Sequence, residues 1–140
     1  MLVLDTDHIS VLLWEGTPKA EQFEQRLDAS GEELAVTIIS YQEQASGWLG
    51  GLKESLSMAE QIERYRRLEQ HRRFYSEAKV LPFAEVAATQ FQALRKAHRR
   101  LSALDLKIAA IVLVHNATLL SANLRHFQQI PDLKVEDWVS

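Results

Sequence analysis

Near the amino terminus, three consecutive apolar residues, Leu2, Val3 and Leu4, are followed directly by Asp5. A strand with one exposed face alternates apolar and polar residues, and this run does not alternate. An unbroken apolar run is typical of a strand that is buried on both faces of a parallel sheet. The opening therefore requires helices on both sides of a sheet, and the apolar spacing of residues 8–14 predicts the first of them.

The same succession of strand and helix recurs along the chain. Further strands are predicted at residues 34–39, 79–83, 117–121 and 133–138. Further helices are predicted at residues 18–27, 41–48, 55–77, 84–100 and 101–115, the last of them apolar almost all round in its second half. Strands that alternate with helices indicate a parallel sheet with right-handed crossovers. We expect a single α/β domain over residues 1–140, with a short sheet of four or five parallel strands flanked by helices.

The protein has no cysteine and a formal net charge of −3. Without cysteine, any metal ion must be held by oxygen or imidazole ligands. The chain starts without the basic segment of a signal peptide, and no apolar run approaches the roughly 20 residues of a membrane span. We therefore expect a cytoplasmic protein that has no membrane partner. The net charge argues against binding nucleic acid through bulk electrostatics, although Arg-rich segments at 64–67, 72–73 and 95–100 could form a local basic surface.

Three strand-to-helix regions carry an acidic residue at or just after the junction: Asp5, Glu43 and Asp105. Parallel strands bring their carboxyl ends to one edge of a sheet, which is where ligands bind in open α/β sheets. Carboxylates that converge without cysteine or a histidine cluster favour hard cations such as Mg²⁺ or Mn²⁺. Such ions commonly activate a water molecule for attack on a phosphodiester.

Each of these three carboxylates also has a purely structural interpretation. Asp5 could cap the helix that follows it. Glu43 stands three residues after Ser40, the spacing of a capping box, in which Ser40 would cap the helix at its start. Asp105 in the first turn of its helix is favoured by the helix dipole alone.

Four segments, in order, resemble the motifs of the PIN domain and, within that family, of the VapC toxins of toxin–antitoxin pairs. The segments are residues 4–10, 37–43, 104–110, and 118–127 together with 130–138. The resemblance covers essentially the whole chain. It implies an endoribonuclease that depends on Mg²⁺ or Mn²⁺, forms a homodimer and is held inactive by a cognate antitoxin.

Carried over position by position, the resemblance implies that Asp5, Glu43 and Asp105 are the metal-binding carboxylates. In the fourth motif many relatives have an aspartate, and here Asn123 and His126 occupy that neighbourhood. Asn123 is expected to complete or tune the catalytic site, through its amide oxygen or through a metal-bound water, without supplying a negative charge. For the antitoxin, we expect a binding surface along residues 11–14 and 40–52.

Two other functions stay open. A PIN-like module that binds RNA or a protein without catalysis would explain the missing fourth carboxylate. The Asp5-Thr6-Asp7 segment also resembles the nucleophile motif of haloacid-dehalogenase-type phosphatases, in which the first aspartate is phosphorylated and the second acts as acid and base. Against the phosphatase, Ile9 replaces a motif threonine and no matching motif lysine is apparent.

Overall fold

The computed structural model describes residues 1–140. The strands are β1 (Leu2–Leu4), β2 (Leu34–Thr37), β3 (Val80–Leu81), β4 (Thr118–Leu120) and β5 (Lys134–Glu136). The helices are α1 (Thr6–Leu13), α2 (Pro18–Ser30), α3 (Ile38–Gly50), α4 (Met58–Glu77), α5 (Glu85–Ala97), α6 (Ala103–Val114) and α7 (Leu124–Phe127). The five strands form one sheet in the order β3-β2-β1-β4-β5, and every neighbouring pair is parallel. The predicted α/β fold with a short parallel sheet of four or five strands is confirmed, and the sheet has five strands.

Strand β1 lies at the centre of the sheet and is buried on both faces. Val3 belongs to a core cluster that includes Leu106 of α6, whereas Leu2 and Leu4 belong to a second cluster that includes Phe23 of α2. Successive side chains of a strand point to opposite faces, so each face of β1 packs against its own layer of helices. The unbroken apolar run is explained by this double burial.

Helix α6 is the most deeply buried helix. Its residues Ile108, Ala109, Ala110, Ile111 and Val112 are each at most 1% exposed. A helix that is apolar on all sides must be surrounded by protein. Its position is therefore fixed from all sides, which also fixes the helix start, where Asp105 lies.

The start of α3 differs from the prediction. We expected a strand up to residue 39 and a helix capped by Ser40, but β2 ends at Thr37 and α3 begins at Ile38. The Thr37 hydroxyl accepts a hydrogen bond from the Ser40 backbone N–H at 3.1 Å, so Thr37 is the cap and Ser40 lies in the first turn. The short helix α7 was not predicted. None of the helices combines the length and the apolar character that crossing a membrane requires.

Candidate active site at the carboxyl edge of the sheet

Asp5 lies at the junction between β1 and α1 and is only 8% exposed. Its Oδ1 accepts a hydrogen bond from the Thr6 backbone N–H at 2.8 Å, so the predicted role as a helix cap is confirmed. Its Oδ2 accepts a hydrogen bond from the Ser121 hydroxyl, also at 2.8 Å. Ser121 directly follows β4, the neighbour of β1 in the sheet. Asp5 therefore ties together the carboxyl ends of the two central strands.

The surroundings of Asp5 disfavour its ionised form. The pKa of Asp5 is raised from 3.8 to about 6, with burial as the largest cause and the negative charges of Asp7 and Asp105 contributing to the rise. The hydrogen bonds from Ser121 and Thr6 act in the opposite direction. No lysine or arginine forms an ion pair with Asp5. A buried carboxylate without a cationic partner is a costly arrangement.

Glu43 lies in α3, six residues after the Thr37 cap. The capping box between Ser40 and Glu43 is not formed, because Ser40 is not the cap and Glu43 accepts no hydrogen bond from it. The Glu43 carboxylate is half-buried, and burial raises its pKa above the ordinary value. The charges of Asp5 and Asp105 raise it as well, so Glu43 lies within electrostatic reach of both.

Asp105 lies in the first turn of α6, as predicted. Its backbone N–H donates a hydrogen bond to the Ser102 hydroxyl at 3.1 Å, so Ser102 caps the helix and the Asp105 carboxylate takes no part in the cap. The Asp105 side chain is 22% exposed, and its Oδ2 is 3.8 Å from Nδ1 of His126. The charge of Asp105 raises the pKa of both Asp5 and Glu43. The fold therefore brings the three predicted carboxylates into one electrostatic neighbourhood.

The three carboxylates do not form a ready-made metal shell. No group of three acidic or imidazole side chains is arranged closely enough to hold an ion as it stands. Coordination of a single ion by Asp5, Glu43 and Asp105 therefore requires a change of side-chain rotamer. The long Glu43 side chain is the best suited to such a change, because it has the most rotatable bonds and no hydrogen-bond partner in the structure.

The chemistry of the donor set fits a hard divalent cation. All three candidate ligands are carboxylate oxygens, which Mg²⁺ and Mn²⁺ prefer, and no arginine or lysine neutralises them. The Thr6 hydroxyl, adjacent to Asp5, is buried without a hydrogen-bond partner. Buried polar atoms are normally paired, so this hydroxyl is available to a ligand or to its water.

Asn123 follows Ser121 at the same edge of the sheet. Its backbone N–H donates a hydrogen bond to the Ser121 hydroxyl at 3.0 Å, and its Nδ2 is 3.0 Å from Nδ1 of His126. The hydroxyl of Ser121 therefore joins Asn123 to Asp5. The same Nδ1 of His126 lies 3.8 Å from Oδ2 of Asp105, too far for a hydrogen bond. Sequence reasoning missed Ser121, although its position just after β4 matches that of Asp5 just after β1.

Asp7 is occupied by structural contacts. Its Oδ2 accepts a hydrogen bond from the Ala122 backbone N–H at 3.0 Å, and its Oδ1 is 2.6 Å from Nδ1 of His8. His8 is fully buried, and its Nε2 accepts a hydrogen bond from the Trp138 backbone N–H at 3.1 Å. Because Nε2 is an acceptor, Nδ1 carries the proton that His8 donates to Asp7. Asp7 thus fastens α1 to the loop after β4.

A buried polar cluster that the sequence did not reveal lies behind Glu43. Gln44 is 8% exposed, and its Oε1 accepts hydrogen bonds from the Tyr75 hydroxyl at 2.8 Å and from Nε2 of His71 at 3.0 Å. Its Nε2 is 3.4 Å from the Ser10 hydroxyl. Gln44 therefore connects α3 with α4 and α1, and fixes the helix turn that carries Glu43.

The pKa of Tyr75 indicates that this cluster lies near the carboxylates. Burial is the main cause that raises the pKa of Tyr75, and the charges of Asp5 and Glu43 raise it further. Burial lowers the pKa of His71. The cluster therefore stays neutral and supplies no positive charge to the site.

The PIN domain family model matches residues 2–133. The chain belongs to the PIN domain family. This PIN domain is similar in fold to a chain of VapBC-1 from nontypeable Haemophilus influenzae, with a TM-score of 0.75, 23% identity and coverage of 99% of this chain and 98% of that chain. It is also similar to a chain of VapBC2 from Rickettsia felis bound to a DNA fragment from their promoter, with a TM-score of 0.74, 20% identity and 98% of each chain covered.

A third solved structure gives the same result. The PIN domain is similar to a chain of FitAB bound to an IR36 DNA fragment, with a TM-score of 0.70, 25% identity and coverage of 98% of this chain and 94% of that chain. No curated protein is significantly similar to the chain in sequence. The structural neighbours therefore establish the fold.

Proposed function

We propose that this PIN domain is a metal-dependent endoribonuclease and the toxin of a type II toxin–antitoxin pair. One observation carries the catalytic part: the carboxylates of Asp5, Glu43 and Asp105 lie within electrostatic reach of one another at the carboxyl edge of the sheet, and no lysine or arginine pairs with them. Carboxylates placed together in a partly buried site are costly while they are ionised, and a cation bound between them offsets that cost. Membership of the PIN family supports the choice of nuclease chemistry.

Each residue of the proposed site has a separate role. Asp5, held by Thr6 and Ser121, supplies a fixed carboxylate. Glu43 and Asp105 supply two further oxygen ligands for Mg²⁺ or Mn²⁺. When bound, such an ion supplies a Lewis acid that lowers the pKa of a water molecule and offsets negative charge on an RNA phosphate.

Asn123 completes the proposed site as a neutral residue. Through its Nδ2 contact it orients the imidazole of His126, whose Nδ1 lies 3.8 Å from Asp105. The imidazole is about half exposed, so RNA has access to it. Asn123 adds no charge of its own to the proposed site.

The partner part of the proposal rests on the structural neighbours and on exposed apolar residues. The neighbours come from VapBC and FitAB complexes. Large apolar side chains are exposed at the end of α1, on α3 and on α4: Trp14, Leu49, Met58, Ile62 and Tyr65, each 46–67% exposed. Exposed apolar side chains on neighbouring elements are typical of an interaction site. We assign it to a cognate antitoxin, and we expect a homodimer that acts on RNA in the cytoplasm.

Cleavage of RNA by purified protein tests this function. Asp5→Asn and Asp105→Asn variants with native circular dichroism spectra are expected to lose cleavage in Mg²⁺ or Mn²⁺, because each loses one ligand charge. The matched control is Asp132→Asn, an exposed aspartate in the turn before β5. Equal cleavage by parent and by both site variants would refute the assignment. Light scattering of the parent tests the homodimer.

The non-catalytic module is the second candidate. The absence of a preformed ligand group and the neutral Asn123 favour it. A protein that binds RNA but neither binds Mn²⁺ nor cleaves RNA would establish it. The phosphatase is disfavoured, because both oxygens of Asp7 are held by His8 and Ala122 and the residue is not free to act as acid and base.

A further inference from the structure

Cations line one side of α5 and the loop that follows it. Arg95, Lys96 and Arg99 are exposed and, with Phe91 and Gln92, line an open groove. We refer to Arg95, Lys96 and Arg99 as the cationic stripe. Residues 85–100 contain four Lys or Arg and one Glu, a net charge of +3 in a protein whose total is −3. The stripe is therefore a concentrated positive surface on an acidic protein.

On the Arg-rich face of α4, by comparison, glutamates balance most of the positive charge. Residues 58–77 contain five Arg and four Glu, a net charge of +1. Glu63 pairs with Arg66 at 2.7 Å and with Arg67 at 3.0 Å, and Glu69 pairs with Arg72 at 3.1 Å. In the cationic stripe, by contrast, no residue forms an ion pair.

Unpaired like charges that lie close together repel one another, whereas the dipole of α5 favours Arg95 and Lys96 in its last turn. On α4, Arg66, Arg67 and Arg72 are paired with Glu63 or Glu69, which reduces this repulsion, and Arg64 and Arg73 form no ion pair. Two segments that look alike in sequence therefore differ in the structure, because glutamates neutralise much of the charge on α4 and no carboxylate pairs with the stripe.

The stripe also leads toward the proposed active site. The loop between α5 and α6 spans five residues, and Nη1 of Arg95 donates a hydrogen bond to the Leu101 carbonyl in that loop at 2.9 Å. Ser102 then caps α6, whose first turn carries Asp105. Lys107, two residues further on, has its Nζ 5.6 Å from the centre of the Phe91 ring. The groove and the start of α6 are thus neighbours.

We propose that the cationic stripe binds the phosphate backbone of single-stranded RNA beside the active site. This inference rests on the proposed function for the choice of RNA. Phosphates offer the complementary charge at a regular spacing, and basic grooves that follow the backbone are the usual way of holding a single strand. The stripe supplies affinity and position, whereas the carboxylates of the site supply the chemistry.

The test compares two variants with the same change of charge. Lys96→Gln/Arg99→Gln neutralises two stripe cations and leaves the Arg95 hydrogen bond intact. The matched control, Arg66→Gln/Arg72→Gln, neutralises two paired cations on α4. Binding of a fluorescent single-stranded RNA is measured in EDTA over a range of salt concentrations, and cleavage kinetics are measured with metal. Arg99→Glu serves as a second, single-site stripe variant.

Each neutralised phosphate contact accounts for about 0.7 of the slope of log K against log salt for a single strand. The stripe variant is expected to lose about 1.4 of that slope and to bind RNA about 25-fold more weakly at about 0.1 M salt. Its KM is expected to rise, with kcat nearly unchanged. The α4 control is expected to bind within about twofold of the parent, because its cations are already paired.

The two proposals fail separately. If the parent cleaves RNA but the stripe variants bind and cleave as the parent does, the stripe assignment is overturned and the nuclease stands. If the α4 control loses as much affinity as the stripe variant, the stripe assignment is also overturned. If the parent does not cleave RNA but binds it through the stripe, the nuclease proposal fails and the stripe assignment stands.

Discussion

In the absence of metal, Asp5 is expected to reduce the stability of the protein at neutral pH, so Asp5→Asn should stabilise it. Burial and neighbouring charges raise the pKa of Asp5 from 3.8 to about 6 in the folded protein. The folded state therefore binds a proton at the Asp5 carboxyl group more tightly than the unfolded state does. The folded protein loses stability as the pH rises from about 4 to about 6, and the loss caused by ionised Asp5 is constant above that range.

The magnitude follows from the pKa. A rise from 3.8 to about 6 corresponds to about 3 kcal/mol at neutral pH. Asparagine is never ionised, so it removes this cost. It keeps the cap on Thr6, because asparagine is a good helix cap. A less favourable hydrogen bond with Ser121 costs about 1 kcal/mol, which leaves a net gain of about 2 kcal/mol and a rise in Tm of about 4–8 °C.

Thermal denaturation in EDTA at about pH 7.5 and at about pH 4 measures this effect. The Tm of Asp5→Asn should exceed that of the parent at the higher pH only. Addition of Mg²⁺ should raise the Tm of the parent more than that of the variant, because a ligand stabilises only a protein that binds it. Asp28→Asn, an exposed position on α2, is the control. A variant that is less stable than the parent in EDTA at about pH 7.5 would refute this reasoning.

Two further substitutions test the contacts around the site. Gln44→Leu leaves the Tyr75 hydroxyl and His71 without an acceptor in a buried position. Urea denaturation is expected to show a loss of about 2–5 kcal/mol in the free energy of unfolding. A loss below about 1 kcal/mol would contradict the buried cluster. Ser121→Ala removes the hydrogen bond that lowers the pKa of Asp5. NMR titration of the carboxyl groups in the metal-free protein should therefore find a pKa of Asp5 above about 6. An unchanged pKa of Asp5 would contradict the contact with Ser121.

The sequence predicted the elements whose identity depends on local pattern. The unbroken apolar run of β1 and the apolar residues around α6 each require burial on all sides, and the structure provides it. Asp5 was located correctly at the junction of β1 and α1, whereas Glu43 lies inside α3 and Asp105 follows helix α5 rather than a strand.

The predicted start of α3 was wrong, because two hydroxyl residues three positions apart can each cap a helix. Thr37 and Ser40 are both suitable by type, and β-branched Ile38 and Ile39 favour a strand by propensity. The structure resolves the choice in favour of Thr37, which removes the capping-box alternative for Glu43. Local propensity could not decide this, because the position of β2 in the sheet determines where the strand ends.

Other features depend on contacts between remote parts of the chain. The Gln44 cluster joins three helices, and the link from Asp5 to Ser121 spans 116 residues. The pairing of the α4 arginines was a general expectation for helix faces, but the absence of pairing on α5 required knowledge of every neighbouring side chain. A single sequence without the fold gives no access to such contacts.

The most direct test of the nuclease site is a calorimetric titration of Mn²⁺ into the parent, Asp5→Asn, Glu43→Gln and Asp105→Asn at about pH 7.5. If the three carboxylates hold one ion or an adjacent pair, the parent binds Mn²⁺ and each substitution weakens binding by about tenfold or more, since each removes a charged ligand. Binding of equal strength by the parent and all three variants would contradict a metal site at this edge of the sheet.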